Sequence, residues 1–243
     1  MKKRDSIVIS FVFVTLILLT LNFFQNKSIE RESVVISRVI DGDTLNLEDG
    51  RTIRLLNINS PEKDRPESRY SKEFLEQFTN KTAEFEIIGK DKYNRYLARI
   101  FEEDRYLNLE LVKKGFASKF LVDKNELKVF DNAENNAVEK SFGIWKKSVY
   151  WGCLNVSINS KDETIKIRNN CTIEKTEFEL KDESRKIFKI NLLSDFMVIH
   201  SGKGISNNTD LYLNYTNVWN DDRDSVYILD MEGGIVFHES YGY

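Results

Sequence analysis

Residues 39 to 62 read VIDGDTLNLEDGRTIRLLNINSPE. With VVISRVI leading into it, the stretch alternates apolar and polar residues through TLNL and TIRLLNI, and the turn signals DGD and EDG divide it. This pattern predicts three strands of an antiparallel meander. Asp41 and Asp43 flank Gly42 in a tight turn, where hard oxygen ligands can face one point in space, as a Ca²⁺ site requires. Arg54, on the third strand, can then meet a phosphate held by that cation, and Glu62 follows a proline just beyond.

Downstream, RPESRYSKEFLEQFTN changes period and places Tyr70, Phe74, Leu75 and Phe78 on one helical face. AEFEIIG and LARIFE return to strand character around the polar loop KDKYNR. NLELVKKG reads as a short helix ended by Gly115, and NELKVFDNAENNAVEKSFGIW as a longer helical stretch. Residues 29–147 therefore read as a five-stranded OB-type β-barrel with appended helices, an α+β arrangement of the kind that binds oligonucleotides. After a linker at 148–153 the texture changes. LNVSI, TIKIRNN, EFELKD, KIFKI, FMVIHSG, DLYLN, SVYILD and IVFHES are short strands at regular spacing, which predicts a second, all-β sandwich domain over 154–243.

Of the 243 residues, 41% are hydrophobic and 31% charged, with only 2 prolines and 11 glycines, a globular composition that argues against disorder. Net charge divides as about +3 over residues 1–28, about −1 over 29–147 and about −5 over 148–243, so a strongly basic nucleic-acid footprint is absent. Polyanion binding by the middle block has to come from a local patch. Residues 7–24, IVISFVFVTLILLTLNFF, are uncharged and near the length that spans a bilayer. Lys2, Lys3 and Arg4 precede them, so the expectation is a single-pass anchor with a cytoplasmic N-terminus and everything after it outside the cell. The competing reading is a secreted protein behind a cleaved signal peptide. Against it, the apolar core exceeds the usual ~7–15 residues and no small-x-small site follows. Outside the cytosol the only two cysteines, Cys153 and Cys171, can pair as a disulfide.

If the middle block is a barrel, Asp41 and Asp43 come from the first hairpin, Arg54 from the third strand, Asn59 to Glu62 from the loop leaving it, and Arg95 from a later loop. A cation on Asp43 and on oxygens of Asn59 and Ser60 would polarise a phosphate, and two guanidiniums would bind its equatorial oxygens. Glu62 could orient an attacking water or take its proton. Each residue alone is weak: DGD is a common hairpin turn, and a strand arginine is usually a solvated residue.

Joint occurrence in order is more specific. DGDT, RLL, N-S-P-E and DKYNR resemble the staphylococcal nuclease (thermonuclease-like) family, whose pattern runs I-D-G-D-T, R-L-x-x-x-D-[ST]-P-E and D-x-Y-[GN]-R. The similarity extends from about Val34 to Trp145 and includes LVKKGFA and GIW. It implies an OB-type barrel and Ca²⁺-dependent cleavage of single-stranded or loosened DNA or RNA, leaving a 3′-phosphate. Carried over by position, the catalytic trio falls on Arg54, Glu62 and Arg95. The metal ligands fall on Asp43, Asn59 and the carbonyl of Ser60, with Asp41 in the outer shell. Tyr93 and Lys92, within DKYNR, fall where the family contacts nucleic acid. Two departures stand out. Asn59 replaces the family's aspartate, so a neutral oxygen replaces a charged one and calcium affinity should be lower. The family's pair of pocket tyrosines has no counterpart, which leaves Phe120 to supply base stacking.

The C-terminal block is similar to the lamin-tail domain. HSGKGISNNTDLYLN and NVWNDDRDSVYILDMEGGIVFHESYGY match that family's late strands, and the resemblance covers about Leu154 to Tyr243. It implies an immunoglobulin-like sandwich that binds a surface or a partner. Trp219 reads as core; Asp221, Asp222 and Asp224 read as a solvated hairpin turn rather than a cation site, and His200 and His238 as structural. Two functional classes follow: a membrane-anchored extracellular Ca²⁺-dependent nuclease, or a catalytically weak or inactive module that binds nucleic acid or the cell surface.

Overall fold

The computed structural model describes residues 30–171, 173, 176–184 and 186–243. The expected membrane span at 7–24 lies outside them; among the described residues no helix is long and apolar enough to cross a membrane.

The meander forms as β1 (Glu32–Val39), β2 (Thr44–Leu47) and β3 (Thr52–Leu55). With β5 (Thr82–Lys90), β6 (Tyr96–Glu102) and the two-residue β7 (Arg105–Tyr106) they make one sheet in the order β3-β2-β1-β5-β6-β7. An additional parallel pairing of β3 with β6 closes the first five strands into an OB-like barrel. The closure matters for chemistry. Antiparallel pairing puts Arg54 opposite Thr44, and the parallel pairing puts Arg54 opposite Leu97, two residues past Arg95. Residues distant in sequence thus meet at one rim. Alternation of side chains along the strands sends Ile36, Leu45, Leu47, Ile53, Phe85 and Ile100 inward, where all are buried.

TIRLLNI is not one strand. It breaks after Leu55, where Asn57 adopts φ 66°, and resumes as β4 (Ile58–Asn59), paired with β8 (Ser118–Lys119). Asparagine tolerates this left-handed backbone better than most residues, and the Asn57 side chain fixes the turn by donating to Glu126 at 2.7 Å. Asn59 therefore sits on a strand, not in the loop expected for it.

Among the described residues three α-helices flank the barrel: α1 (Ser68–Glu76), α2 (Leu107–Lys113) and α3 (Leu127–Glu139), followed by a 3₁₀ turn at Gly143–Trp145. Gly115 ends α2 at φ 65° and faces Gly143 at φ 53°. A Cβ on either would lie within 2.1–2.3 Å of the other segment's backbone oxygen, so both positions require glycine. Their contact seats Trp145, only 1% exposed.

All eight expected C-terminal strands are present, β9 (Leu154–Asn159), β10 (Thr164–Asn169), β11 (Thr176–Lys181), β12 (Ile187–Leu192), β13 (Phe196–His200), β14 (Asp210–Tyr212), β15 (Asp224–Leu229) and β16 (Ile235–Tyr241). They form two four-stranded sheets, β14-β13-β10-β9 and β12-β11-β15-β16. One apolar core joins both sheets, with Ile165, Ile167 and Ile199 from the first, Phe178, Leu180 and Ile228 from the second, and Trp219 from the loop before β15. Cys153 and Cys171 are joined by a disulfide at the start of this half.

Asp224 corrects the reading of a solvated acidic turn. It is fully buried and accepts the backbone N–H groups of Glu183, Asn220 and Ser225. Burial pushes its carboxyl up, with those N–H groups opposing. Asp221 and Asp222 do remain exposed.

The two halves share a third apolar cluster of Ala137, Trp145, Tyr227 and Ile235. Trp145 stacks on Tyr227 at 6.0 Å and lies 4.8 Å from His238. Burial, with Lys119 and Lys181 nearby, holds the His238 imidazole down to about 3, so it is neutral at pH 7 and structural. Beside it the Lys119 ammonium, 2% exposed, pairs with buried Glu134 at 2.6 Å and with Asp131 at 3.1 Å.

Candidate active site

The site grows from the DGDT turn. Asp41 Oδ1 accepts the backbone N–H of Asp43 at 3.2 Å, an Asx arrangement that tightens the turn. Gly42 is required by close approach: a Cβ there would lie 1.9 Å from Ser71 Oγ on α1 and 2.7 Å from Ser60 Cβ. The turn is thereby wedged between the helix and the N-S-P-E segment. That leaves Asp43 fully buried, and its carboxylate needs partners. Oδ2 accepts from the backbone N–H and hydroxyl of Ser60, each at 3.1 Å. Oδ1 accepts the Thr44 hydroxyl at 3.0 Å and pairs with Arg54 Nε at 3.3 Å.

Arg54 is 7% exposed. Its Nη1 donates to the carbonyl of Leu55 and its Nη2 to Asn59 Oδ1 at 3.3 Å. Arg95 reaches the same hub from the far side of the closure, donating from Nη1 to Thr44 Oγ1 at 3.2 Å. Asp91 holds it there, accepting the Arg95 backbone N–H at 3.0 Å and pairing with its guanidinium at 2.7–2.8 Å. Burial raises the Asp91 carboxyl, but bonds from Arg95 and from the Tyr93 N–H outweigh it and hold the group below the usual carboxylate range. The same loop displays Tyr93, 68% exposed, with Lys92 Nζ 5.1 Å and the Arg95 guanidinium 5.4 Å from its ring.

Glu62 lies on the opposite flank, against the C-terminal half. It lines a cavity of about 80 Å³ with Asn59, Arg65 and Ser118 from the barrel side and Lys181, Ile187 and Tyr227 from the other half. Its Oε1 is enclosed. Arg65, three residues on, pairs across the junction with Glu179 at 2.5 Å.

The structure thus brings Asp41, Asp43, Arg54, Asn59, Ser60 and Arg95 into one bonded set, with Glu62 beside Asn59 on the cavity wall and Tyr93 and Lys92 on the rim. Phe120 is half-buried, and its backbone N–H donates to Asn57 O. No hydrogen bond or ring contact among the described residues joins it to the set. Thr44 and Asp91 complete the set although sequence reasoning assigned them no role; both stand inside the motifs DGDT and DKYNR, which is the signal that could have found them. The contacts from Glu179, Lys181, Glu183 and Ser184 carry no local signal, because they arise only when the halves dock.

Among the described residues no three His, Cys, Asp or Glu side chains cluster as metal ligands. The donors present are nevertheless of one kind. Asp43 and Asn59 Oδ1 already converge on a single cation, the Arg54 guanidinium, and Asp41 stands behind them. An all-oxygen set of low charge fits a hard cation such as Ca²⁺ and not a soft one.

Residues 52–147 match the family model described as staphylococcal nuclease homologue. An uncharacterized endonuclease of Haemophilus influenzae is 30% identical over 139 residues, covering 55% of this chain and 78% of the relative. A thermonuclease of Staphylococcus intermedius is 30% identical over 140 residues, covering 51% of this chain and 82% of the relative. Endonuclease YhcR of Bacillus subtilis is 29% identical over 138 residues, 47% of this chain but only 11% of that much longer protein.

Proposed function

This chain belongs to the staphylococcal nuclease homologue family, and from that premise we propose that it is a Ca²⁺-dependent nuclease hydrolysing phosphodiester bonds of single-stranded or loosened DNA or RNA. The observation that carries the reading is the convergence of two guanidiniums on one buried pair: Arg54 on Asp43 and Arg95 on Thr44, themselves hydrogen-bonded at 3.0 Å. Preorganised cations at one point stabilise the charge that builds on a phosphate as its ester bond breaks, at no reorganisation cost during reaction.

In this reading Arg54 and Arg95 bind the phosphate oxygens, each held in aim by a carboxylate, Asp43 and Asp91 respectively. Glu62 orients the attacking water and accepts its proton. Tyr93 and Lys92, exposed on the Arg95 loop, give the substrate a stacking face and a positive charge. Asp43, Asn59 Oδ1 and Ser60 would hold Ca²⁺, with Asp41 behind them, and the chemistry it would supply there is polarisation of the phosphate. We place the barrel domain at 29–147, a linker at 148–153 and the second domain at 154–243. The two facing four-stranded sheets support a lamin-tail-like, immunoglobulin-type sandwich for that domain, whose role would be attachment to a surface or partner. The apolar run 7–24 supports an extracellular location behind a membrane anchor.

One observation favours a second reading, a weak or inactive binding module: the carboxamide of Asn59 contributes no charge to the cation side and is engaged by the other half of the chain. Incubation of the chain from Glu30 onward with denatured DNA and with RNA at millimolar Ca²⁺ separates the two. The nuclease reading expects progressive shortening of at least one polymer; intact polymer that is nonetheless retained by the protein supports the binding module.

A further inference from the structure

Asn59 is wired in two directions. Its Oδ1 accepts from Arg54 Nη2 at 3.3 Å, while its Nδ2 donates to the backbone carbonyls of Glu183 and Ser184, each at 3.2 Å. Those carbonyls belong to the turn between β11 and β12, in the C-terminal half. The described residues of the turn carry hydrogen bonds of their own. Asp182 accepts the Ser184 hydroxyl at 2.7 Å and the Lys186 N–H at 3.2 Å, and buried Asp224 accepts the Glu183 N–H at 3.1 Å. The Arg65–Glu179 pair clamps the adjoining strand to the barrel.

The chemistry of the carboxamide follows from these contacts. Two carbonyl oxygens can only be met by a donor, so they select the NH₂ end of the side chain and leave the C=O end facing Arg54. A carboxylate at position 59 would set a negative oxygen against the same two carbonyls with no proton to share, leaving buried acceptors unpaired. The neutral residue is therefore matched to the docked turn, whatever it costs in cation affinity.

We propose that Asn59 is a positioning residue through which the C-terminal half acts on the nuclease centre: the carbonyls of Glu183 and Ser184 orient Asn59, and Asn59 in turn fixes the Arg54 guanidinium for phosphate binding. The inference rests on the nuclease reading for its kinetic consequence, but the coupling itself is measurable without activity. Asn59→Asp in the full chain should lower kcat about tenfold or more while KM stays within about threefold, although it adds a carboxylate to the cation side. Backbone amide exchange at Glu183 and Lys186, and exchange of the Arg54 Nη2 protons, should quicken at least about tenfold as the turn and the guanidinium lose their shared tether. Asn59→Ala, which removes both bonds without adding charge, should reproduce the kinetic loss and the faster exchange. An Asn59→Asp enzyme as fast as or faster than wild type, or unchanged exchange in Asn59→Ala, overturns the inference. If wild type cleaves nothing, the nuclease reading falls, and the exchange of the Arg54 and Glu183 protons still decides whether Asn59 couples the halves.

Discussion

The two flanks of the site are built on different principles. On the Arg95 flank most ties are local: Asp91 to Arg95 form one loop, the guanidinium is about a quarter exposed, and among the described residues its distant hydrogen bond is to the Thr44 hydroxyl. On the Arg54 flank local ties, to Leu55 and Asn59, are joined by distant ones. Arg54 is buried, Asn59 answers to a turn more than a hundred residues away, and Glu62 faces a cavity walled by Lys181 and Tyr227. The difference teaches that an exposed, self-contained loop is free to adapt to a polymer, whereas the flank proposed to carry the proton chemistry is held by contacts from both halves of the molecule.

The sharpest break in that comparison is Glu62→Gln. It keeps the shape of the cavity side and removes the proposed base, so turnover should fall by about 10²–10⁴-fold with substrate affinity nearly unchanged, measured by single-turnover cleavage and by filter binding. Removing either arginine comes next. Arg54→Ala and Arg95→Ala should each lower kcat by roughly 10²–10³-fold, yet their effects on stability should diverge. Arg54→Ala strands the buried Asp43 carboxylate and should cost about 3–5 kcal/mol. Arg95→Ala opens a partly exposed pair and should cost under about 1 kcal/mol. Urea unfolding of both variants checks the contrast, and equal losses would mean that the flanks are not built differently.

Tyr93→Ala should act on binding alone, raising KM by about tenfold, as expected for one lost base-stacking contact, with kcat held. A fall in kcat would move Tyr93 into the chemistry. The smallest effect is on pH dependence. Burial pushes the Glu183 carboxyl up to about 7, with the Tyr243 hydroxyl bond opposing and Asp224 adding to the rise. The unfolded chain releases this proton at the ordinary, lower value. The group's stabilising contribution is therefore complete below about pH 4.5 and is lost as pH rises through about 7. Asp182, Asp224, Arg223 and Tyr243 face it. Glu183→Gln should flatten the pH dependence of thermal stability over that window and gain about 1–3 kcal/mol at pH 8. An unchanged slope would assign the dependence to another group.

The same contrast explains what could be read in advance. The meander and the Arg95 loop were legible because turn residues and period-two alternation are local signals, and because DGDT and DKYNR keep their partners within a few positions. Arg54, Glu62 and Asn59 were legible as residue types but not as an environment. The break in TIRLLNI at Asn57 depends on Glu126, and the burial of Asp224 on a turn forty residues earlier. The engagement of Asn59 by Glu183 and Ser184 exists only once the halves dock around Trp145. Phe120 is expected only from the family's aromatic pocket, whereas the exposed ring beside Arg95 is Tyr93.

The central claim is that this turn-centred cluster cleaves phosphodiesters with a cation and Glu62. The most direct test is the rate of hydrolysis of denatured DNA through a calcium titration that ends in excess chelator, run in parallel on wild type and Glu62→Gln. The account predicts wild-type cleavage that rises with Ca²⁺, falls to background on chelation and returns when Ca²⁺ is restored, with the variant near background throughout. Cleavage that survives both chelation and the loss of the Glu62 carboxylate would contradict it.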